Sequence, residues 1–96
     1  MVQALSPKEL ASALARLPRW REEDGAIARD FTFKDFAAAL AFVNRVGALA
    51  EEWEHHPDFE IHYNRVTLRL WTHSEEAITE WDTGLAEAID RLPSPP

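Results

Sequence analysis

The chain has 96 residues, a formal net charge of −7 and no cysteine; 46% of its residues are apolar and 10% aromatic. That is the make-up of one globular domain, residues 1–96, with a modest core. It excludes disulfides, thiolate metal sites and cysteine nucleophiles, and it argues against a nucleic-acid partner, since phosphate binding is driven by Lys and Arg.

No apolar run approaches the ~20 residues of a membrane span, and Met1 to Leu5 lack a basic-then-apolar leader pattern. A cytoplasmic protein with no membrane partner is expected.

Ser6-Pro7-Lys8-Glu9 is a helix start, with a Ser cap, Pro at the first helical position and Glu at the third. Leu10, Leu14 and Leu17 follow at helical spacing, so a first helix is predicted over about residues 7–17, ended by Pro18. Trp20 to Glu23 and Ala26 to Phe33 flank Asp24-Gly25, a pair suited to a type I′ hairpin turn. Ile27, Arg29, Phe31 and Phe33 share one strand face, on which Arg29 is out of character.

From Lys34 the period turns helical through Phe36, Leu40, Val43, Gly47 and Ala50, giving a long second helix to about Glu54. Its many small residues (Ala37, Ala38, Ala39, Ala41, Gly47) suit packing on the domain's own sheet or a helix contact between subunits.

A second hairpin is expected from Phe59 to Tyr63 and Val66 to Thr72, around Asn64-Arg65. Val66, Leu68 and Leu70 form its core face, while Thr67, Arg69, Trp71 and His73 share the other, open face. Thr79 with Asp82 three residues on is a second capping box, opening a third helix through Leu85, Ala86, Ile89 and Leu92 that Pro93 ends. Residues 93–96 are read as a frayed tail. The order α-β-β-α-β-β-α implies an α+β fold: a four-stranded antiparallel sheet with three helices on one face.

The chemistry concentrates at Glu51-Glu52-Trp53-Glu54-His55-His56-Pro57. Imidazoles gain or lose protons near neutral pH. Glu51 and His55, four apart, would stack on one helix face, and Glu54 and His56 would sit at the helix C-terminus, where a cation is favoured. His73 could converge on them from the end of the last strand, beside the flat ring of Trp71. The bland readings are a helix-end histidine that only caps, a surface His62, solvated Glu52, Glu75 and Glu76, and core or interface tryptophans. A metal set of His55, His56, His62, His73 and Glu51 is the chemical rival. However, adjacent helical histidines point about 100° apart, and no HxxxH or HExxH spacing is present. No metal is therefore expected.

The series Glu51, His55-His56-Pro57, Tyr63, His73 and Asp82 resembles the signature of the pterin-4a-carbinolamine dehydratases. So do Phe31-Thr32-Phe33-Lys34-Asp35-Phe36, Tyr63-Asn64-Arg65-Val66 and Thr72-His73, and the resemblance runs from about Leu5 to Leu92. It implies the fold just derived, assembly as a homodimer or homotetramer, and no metal or organic cofactor. The activity it implies is loss of water from a 4a-hydroxytetrahydropterin substrate, with His55, His56 and His73 catalytic. Glu51, Glu54, Pro57, Phe59, Trp71, Thr72 and Asp82 would bind or position the substrate. It also allows a non-enzymatic, coactivator-like role for the same fold. The chain differs from the family pattern at Phe59 (usually Trp), Trp71 (usually a small hydroxyl residue), the glycine-free loop Ser74-Glu75-Glu76-Ala77, and Trp81 (usually Arg).

Overall fold

The computed structural model describes residues 2–93; Met1 and, apart from Pro93, the tail expected to fray lie outside them. The elements are α1 (Pro7–Ala15), β1 (Arg21–Glu23), β2 (Ala26–Thr32), α2 (Phe36–Trp53), β3 (Asp58–His62), β4 (Arg65–Leu70) and α3 (Glu80–Asp90), with a 3-10 turn at His73–Glu75 between the last two. The expected order α-β-β-α-β-β-α is therefore observed. The strands form one antiparallel sheet in the order β1-β2-β4-β3, which leaves β1 and β3 as edges.

Local signals act where the residue types predict. Ser6 and Glu9 close a capping box on α1, and Thr79 and Asp82 close one on α3. Asp24 (φ 50°) and Gly25 (φ 80°) both take the left-handed conformation that a type I′ turn requires.

Cross-strand register places Ile27 opposite Leu70, Arg29 opposite Leu68 and Phe31 opposite Val66. On that face Ile27, Val66, Leu68 and Leu70 are fully buried. They form one core with Leu10 and Leu14 of α1, Ala39, Phe42 and Val46 of α2, and Leu85, Ala86 and Ile89 of α3, so all three helices cover the same side. Arg29 is accommodated at its edge. Its guanidinium lies 4.1 Å over the Phe31 ring and pairs with Asp90 of α3, which also accepts the Trp20 indole N–H at 2.9 Å.

The opposite face is polar. Arg69 bridges Glu60 of β3 at 2.9 Å and Glu23 of β1 at 3.2 Å, crossing above buried Ala28. Arg21 joins Glu23 and Asp30, and Asp30 accepts the Thr67 hydroxyl at 2.7 Å. The Thr67 hydrogen bond, with help from Arg21, holds the Asp30 carboxyl below its ordinary pKa. Arg21 and then Arg69 do the same for Glu23, and Arg69 and then His62 for Glu60.

Two expectations need correction. The buried face of α2 is Ala39, Phe42, Val46 and Ala50, whereas Phe36 and Leu40 are 46% and 38% exposed. An Ala-rich helix is apolar nearly all round, so helical spacing alone leaves its rotation open. The second hairpin turns at Tyr63-Asn64, one residue earlier than expected: His62 pairs with Arg65, and Tyr63 adopts φ 50°. Asn64 is recruited elsewhere. Its side chain donates to the Phe33 carbonyl at 2.7 Å, and its own carbonyl accepts the Phe33 N–H at 2.9 Å.

Candidate active site

The C-terminus of α2 sets the geometry. Glu54 takes a left-handed conformation (φ 53°), its N–H bonds the Glu51 carbonyl, and the His55 N–H reaches back to the Ala50 carbonyl at 3.1 Å. This is a Schellman-type closure, with Glu where Gly is usual. It ends the helix at Trp53 and turns His55 toward α3. Glu51 and His55 therefore do not stack on one helix face. Glu51 instead hydrogen-bonds His56, and both side chains are exposed.

His55 is held from behind by Asp82. The His55 Nε2 lies 2.6 Å from Asp82 Oδ1, with the imidazole 12% and the carboxylate 0% exposed. The other carboxylate oxygen accepts the Thr79 N–H at 2.8 Å and the Thr72 hydroxyl at 2.8 Å. Since the Thr72 hydroxyl is spent on Asp82, the 2.7 Å contact between Thr72 and Thr79 is donated by Thr79, whose oxygen in turn accepts the Trp81 N–H at 3.2 Å. Every role in the chain is thus assigned. An ionised carboxylate only accepts, so Nε2 of His55 carries a proton and Nδ1 is the nitrogen left for other work. Asp82 is a helix cap and a histidine anchor at once, which explains why a charged residue tolerates full burial.

The third histidine belongs to the 3-10 turn, because β4 ends at Leu70 and His73 lies beyond it. An isolated bridge between Thr72 and Ala77 closes this loop. The Trp71 ring stacks on His73 at 3.9 Å between centroids and 28° between planes, and its indole N–H donates to Asp58 at 3.1 Å.

These segments enclose an open cavity of about 250 Å³ lined by Glu54, His55, His56, Trp71, Thr72, His73, Ser74 and Trp81. Three histidines thus face one space, slightly below the ~300–1,000 Å³ typical of small-molecule sites. A larger cavity of about 430 Å³ between α1 and the β1–β2 hairpin carries Glu22 and Glu76 but no histidine. Among the described residues no cluster of three or more His, Asp or Glu side chains is arranged to hold a metal ion.

Of the candidates read from the sequence, Glu54, His55, His56, Trp71, Thr72 and His73 line the cavity. Asp82 supports it from behind, while Glu51, buried Pro57 and Phe59 stand outside its wall. Ser74 and Trp81, which the sequence marks as departures from the family pattern and not as site residues, also line it; Trp81 meets His55 edge-on at 6.0 Å. Its place beside Asp82 in the first turn of α3 was the available signal. Thr79 was legible only as a cap.

A family model described as "Pterin 4 alpha carbinolamine dehydratase" matches residues 3–92. A Thermomicrobium roseum protein named "Putative pterin-4-alpha-carbinolamine dehydratase" is 48% identical over 90 residues, covering 94% of this chain and 97% of its own. A protein of the same name from Chloroflexus aurantiacus is 49% identical over 88 residues, covering 92% and 95%. The crystal structure of a "transcriptional coactivator/pterin dehydratase" from Brucella melitensis superimposes with a TM-score of 0.87 at 39% identity, covering 92% of this chain and 96% of that one. A "pterin dehydratase-like protein" described as a RuBisCO assembly factor in the alpha-carboxysome shares the fold, with a TM-score of 0.63 at 24% identity, covering 77% and 86%.

Proposed function

Because the chain belongs to the pterin 4 alpha carbinolamine dehydratase family, we propose that it removes water from 4a-hydroxytetrahydropterin, giving quinonoid dihydropterin and so recycling the cofactor of aromatic amino-acid hydroxylases. The observation that carries this reading is the convergence of His55, His56 and His73 on one cavity, with His55 tied to the buried carboxylate of Asp82.

The reaction needs a proton delivered to the leaving 4a-hydroxyl and one removed from a ring N–H. Groups titrating near working pH do both, typically contributing about 10²–10⁴-fold. His55 and His73 approach from separate segments of the chain and act as acids on opposite faces of C4a. His56, oriented by Glu51, holds the pterin and shares the base work. Asp82 fixes His55 by its Nε2, leaving Nδ1 to meet substrate. Glu54, Trp71 and Thr72 bound the ring, and Pro57 and Phe59 shape the strand that leads away from the site. The C4a–O bond breaks as water leaves, protons are exchanged and no net electron transfer occurs, so the proposed reaction calls for no metal or organic cofactor.

The test is dehydration of 4a-hydroxytetrahydropterin by the wild type, His55→Ala and His73→Ala. The wild type should exceed buffer at every substrate concentration, and each variant should lose at least tenfold; a wild type no faster than buffer overturns the proposal.

We place the reaction in the cytoplasm and the protein in a homodimer or homotetramer. Supporting assembly, β3 is an edge strand with all five residues exposed, and its Phe59 and Ile61 are 38% and 36% exposed on the helix-covered side. Pairing β3 with a second copy would continue the sheet. Sedimentation should give a dimer or larger, and a strict monomer contradicts it. A second reading, coactivator-like binding, is favoured by the exposed Phe36 and Leu40 on α2 and by the description of the Brucella relative. An active enzyme whose rate is indifferent to Leu40→Ser would keep that surface available for such a partner.

A further inference from the structure

The two outer histidines of the cavity are supported differently. His55 rests directly on a carboxylate, whereas His73 is exposed and hydrogen-bonds no carboxylate among the described residues. What it touches is the indole of Trp71, face to face at 3.9 Å. A flat stack of this kind fixes the plane of an imidazole, but only as well as the indole itself is fixed. Trp71 has one polar handle, its N–H, and that handle is taken by Asp58 at 3.1 Å.

The pairing follows from strand register. Asp58 sits opposite Arg69 across β3 and β4, on the open face of the sheet. Trp71 is two residues further along and returns to the same face, so Asp58 and Trp71 are diagonal neighbours within reach of a large side chain. The obvious competitor for Asp58 is Arg69, its direct cross-strand partner. But Arg69 is already engaged, by Glu60 at 2.9 Å on one side and by Glu23 at 3.2 Å on the other. The charge lattice on the open face therefore leaves the Asp58 carboxylate free to accept from the indole.

Taking the dehydratase reading as its premise, we infer that Asp58 is a positioning residue for His73, acting through Trp71: the carboxylate holds the indole, and the indole holds the imidazole at the cavity wall. The two histidines assigned as acids then each have one aspartate behind them, Asp82 in direct contact with His55 and Asp58 at one remove from His73. Asp58 itself does not line the cavity and touches no reacting atom.

The inference is tested with Asp58→Leu, Asp58→Asn, Trp71→Phe and the double variant Asp58→Leu/Trp71→Phe. Leu cannot accept a hydrogen bond, Asn can, and Phe keeps a stacking face but loses the N–H. In proton NMR of the free protein, the His73 ring protons should lie upfield under the indole. They should move toward their unstacked position in Asp58→Leu and stay in Asp58→Asn. In the dehydration assay, Asp58→Leu should lower kcat by about tenfold with KM within about twofold, as expected when a reacting group is misplaced rather than substrate binding lost. Asp58→Asn should recover to within about threefold of wild type. The double variant should be no worse than the poorer single one, because both break the same link. An unmoved His73 signal in Asp58→Leu overturns the inference, as do an unchanged kcat, a failure of Asn to rescue, or additive losses in the double variant. A wild type without dehydratase activity would sink the functional premise alone, since the NMR comparison still decides whether Asp58 orders His73.

Discussion

Asp82 is where fold and chemistry are hardest to separate, and two substitutions separate them. In Asp82→Ala the Thr79 N–H loses its acceptor at the start of α3, the Thr72 hydroxyl must turn elsewhere, and the His55 Nε2 loses its anchor. All of this lies at a site with 0% exposure at Asp82 and Thr79 and 2% at Thr72, where water cannot easily substitute. A stranded buried donor costs about 1–3 kcal/mol, and two of the three have no ready replacement, so the loss should be roughly 2–6 kcal/mol. For a domain of this size that lowers Tm by at least about 8 °C. Asp82→Asn keeps the shape. Its amide oxygen can still accept from Thr79 and Thr72, so the loss of stability should be only about 1 kcal/mol.

The Asn amide group, however, presents N–H to His55. Nε2 must then accept, so the ring is held neutral with its one proton on Nδ1, and the doubly protonated imidazolium that a general acid draws on loses its carboxylate partner. A histidine held in the wrong tautomer is a poor acid–base group even when its geometry is intact. Asp82→Asn should therefore fold well yet lose at least tenfold in kcat. Urea denaturation gives the stabilities, nitrogen NMR of the His55 ring gives the tautomer, and the dehydration assay gives the rate. An Asn variant that keeps the proton on Nε2, or that switches tautomer with no loss of rate, would refute the reasoning.

Three other predictions concern groups that make no hydrogen bond to Asp82. Glu54→Gly relieves a left-handed side chain at φ 53°; allowing for glycine's extra freedom when unfolded, it should gain about 0.5–1 kcal/mol, and a lowered Tm would contradict it. Gly84→Ala places a Cβ 3.1 Å from Cζ3 of Trp53, so the ~1 kcal/mol helix gain should emerge only in a Trp53→Ala background, and an equal gain in wild type would show that the contact yields freely. The depressed carboxyls of Asp30, Glu23 and Glu60 contribute stability that is present above their unfolded values near pH ~4 and lost as pH falls through the lower folded values. Thermal melts should weaken across that acid range, and less so in Thr67→Val, which removes the largest influence on Asp30; identical acid profiles for the two proteins would count against the lattice.

How legible the molecule was depended on how local each signal is. The two capping boxes, the Asp24-Gly25 turn and the Val66-Leu68-Leu70 face are written in spacings of two or three residues, and the structure follows them. The rotation of α2 was not legible, since Ala39 and Leu40 look equally apolar to a helical period and only the sheet beneath selects between them. The turn at Tyr63-Asn64 slipped by one residue because Asn64 is claimed by Phe33, thirty-one residues away. In the site, His55, His56 and His73 could be picked out by residue type, but partner choice could not. The left-handed turn at Glu54 breaks the helical register on which a Glu51–His55 pair relied, and hands His55 to Asp82, twenty-seven residues on. Asp58 gave no signal by itself, because its role depends on what Arg69 is already doing across the sheet.

β3 is held by a neighbour on one side only, and every one of its residues is exposed. Asp58 is its first residue, while Asp82 sits in the first turn of a helix docked on the core. An edge strand of this kind opens by local fluctuation at a far lower free-energy cost than global unfolding, so the two histidines inherit different degrees of order: His55 stays placed as long as the domain is folded, and His73 only as long as the margin of the sheet is. On the proposed roles, these histidines serve opposite faces of the pterin. Gentle warming or sub-denaturing urea should therefore erode turnover of one 4a-hydroxy epimer before the other, making stereochemical preference a gauge of how firmly the sheet margin is closed.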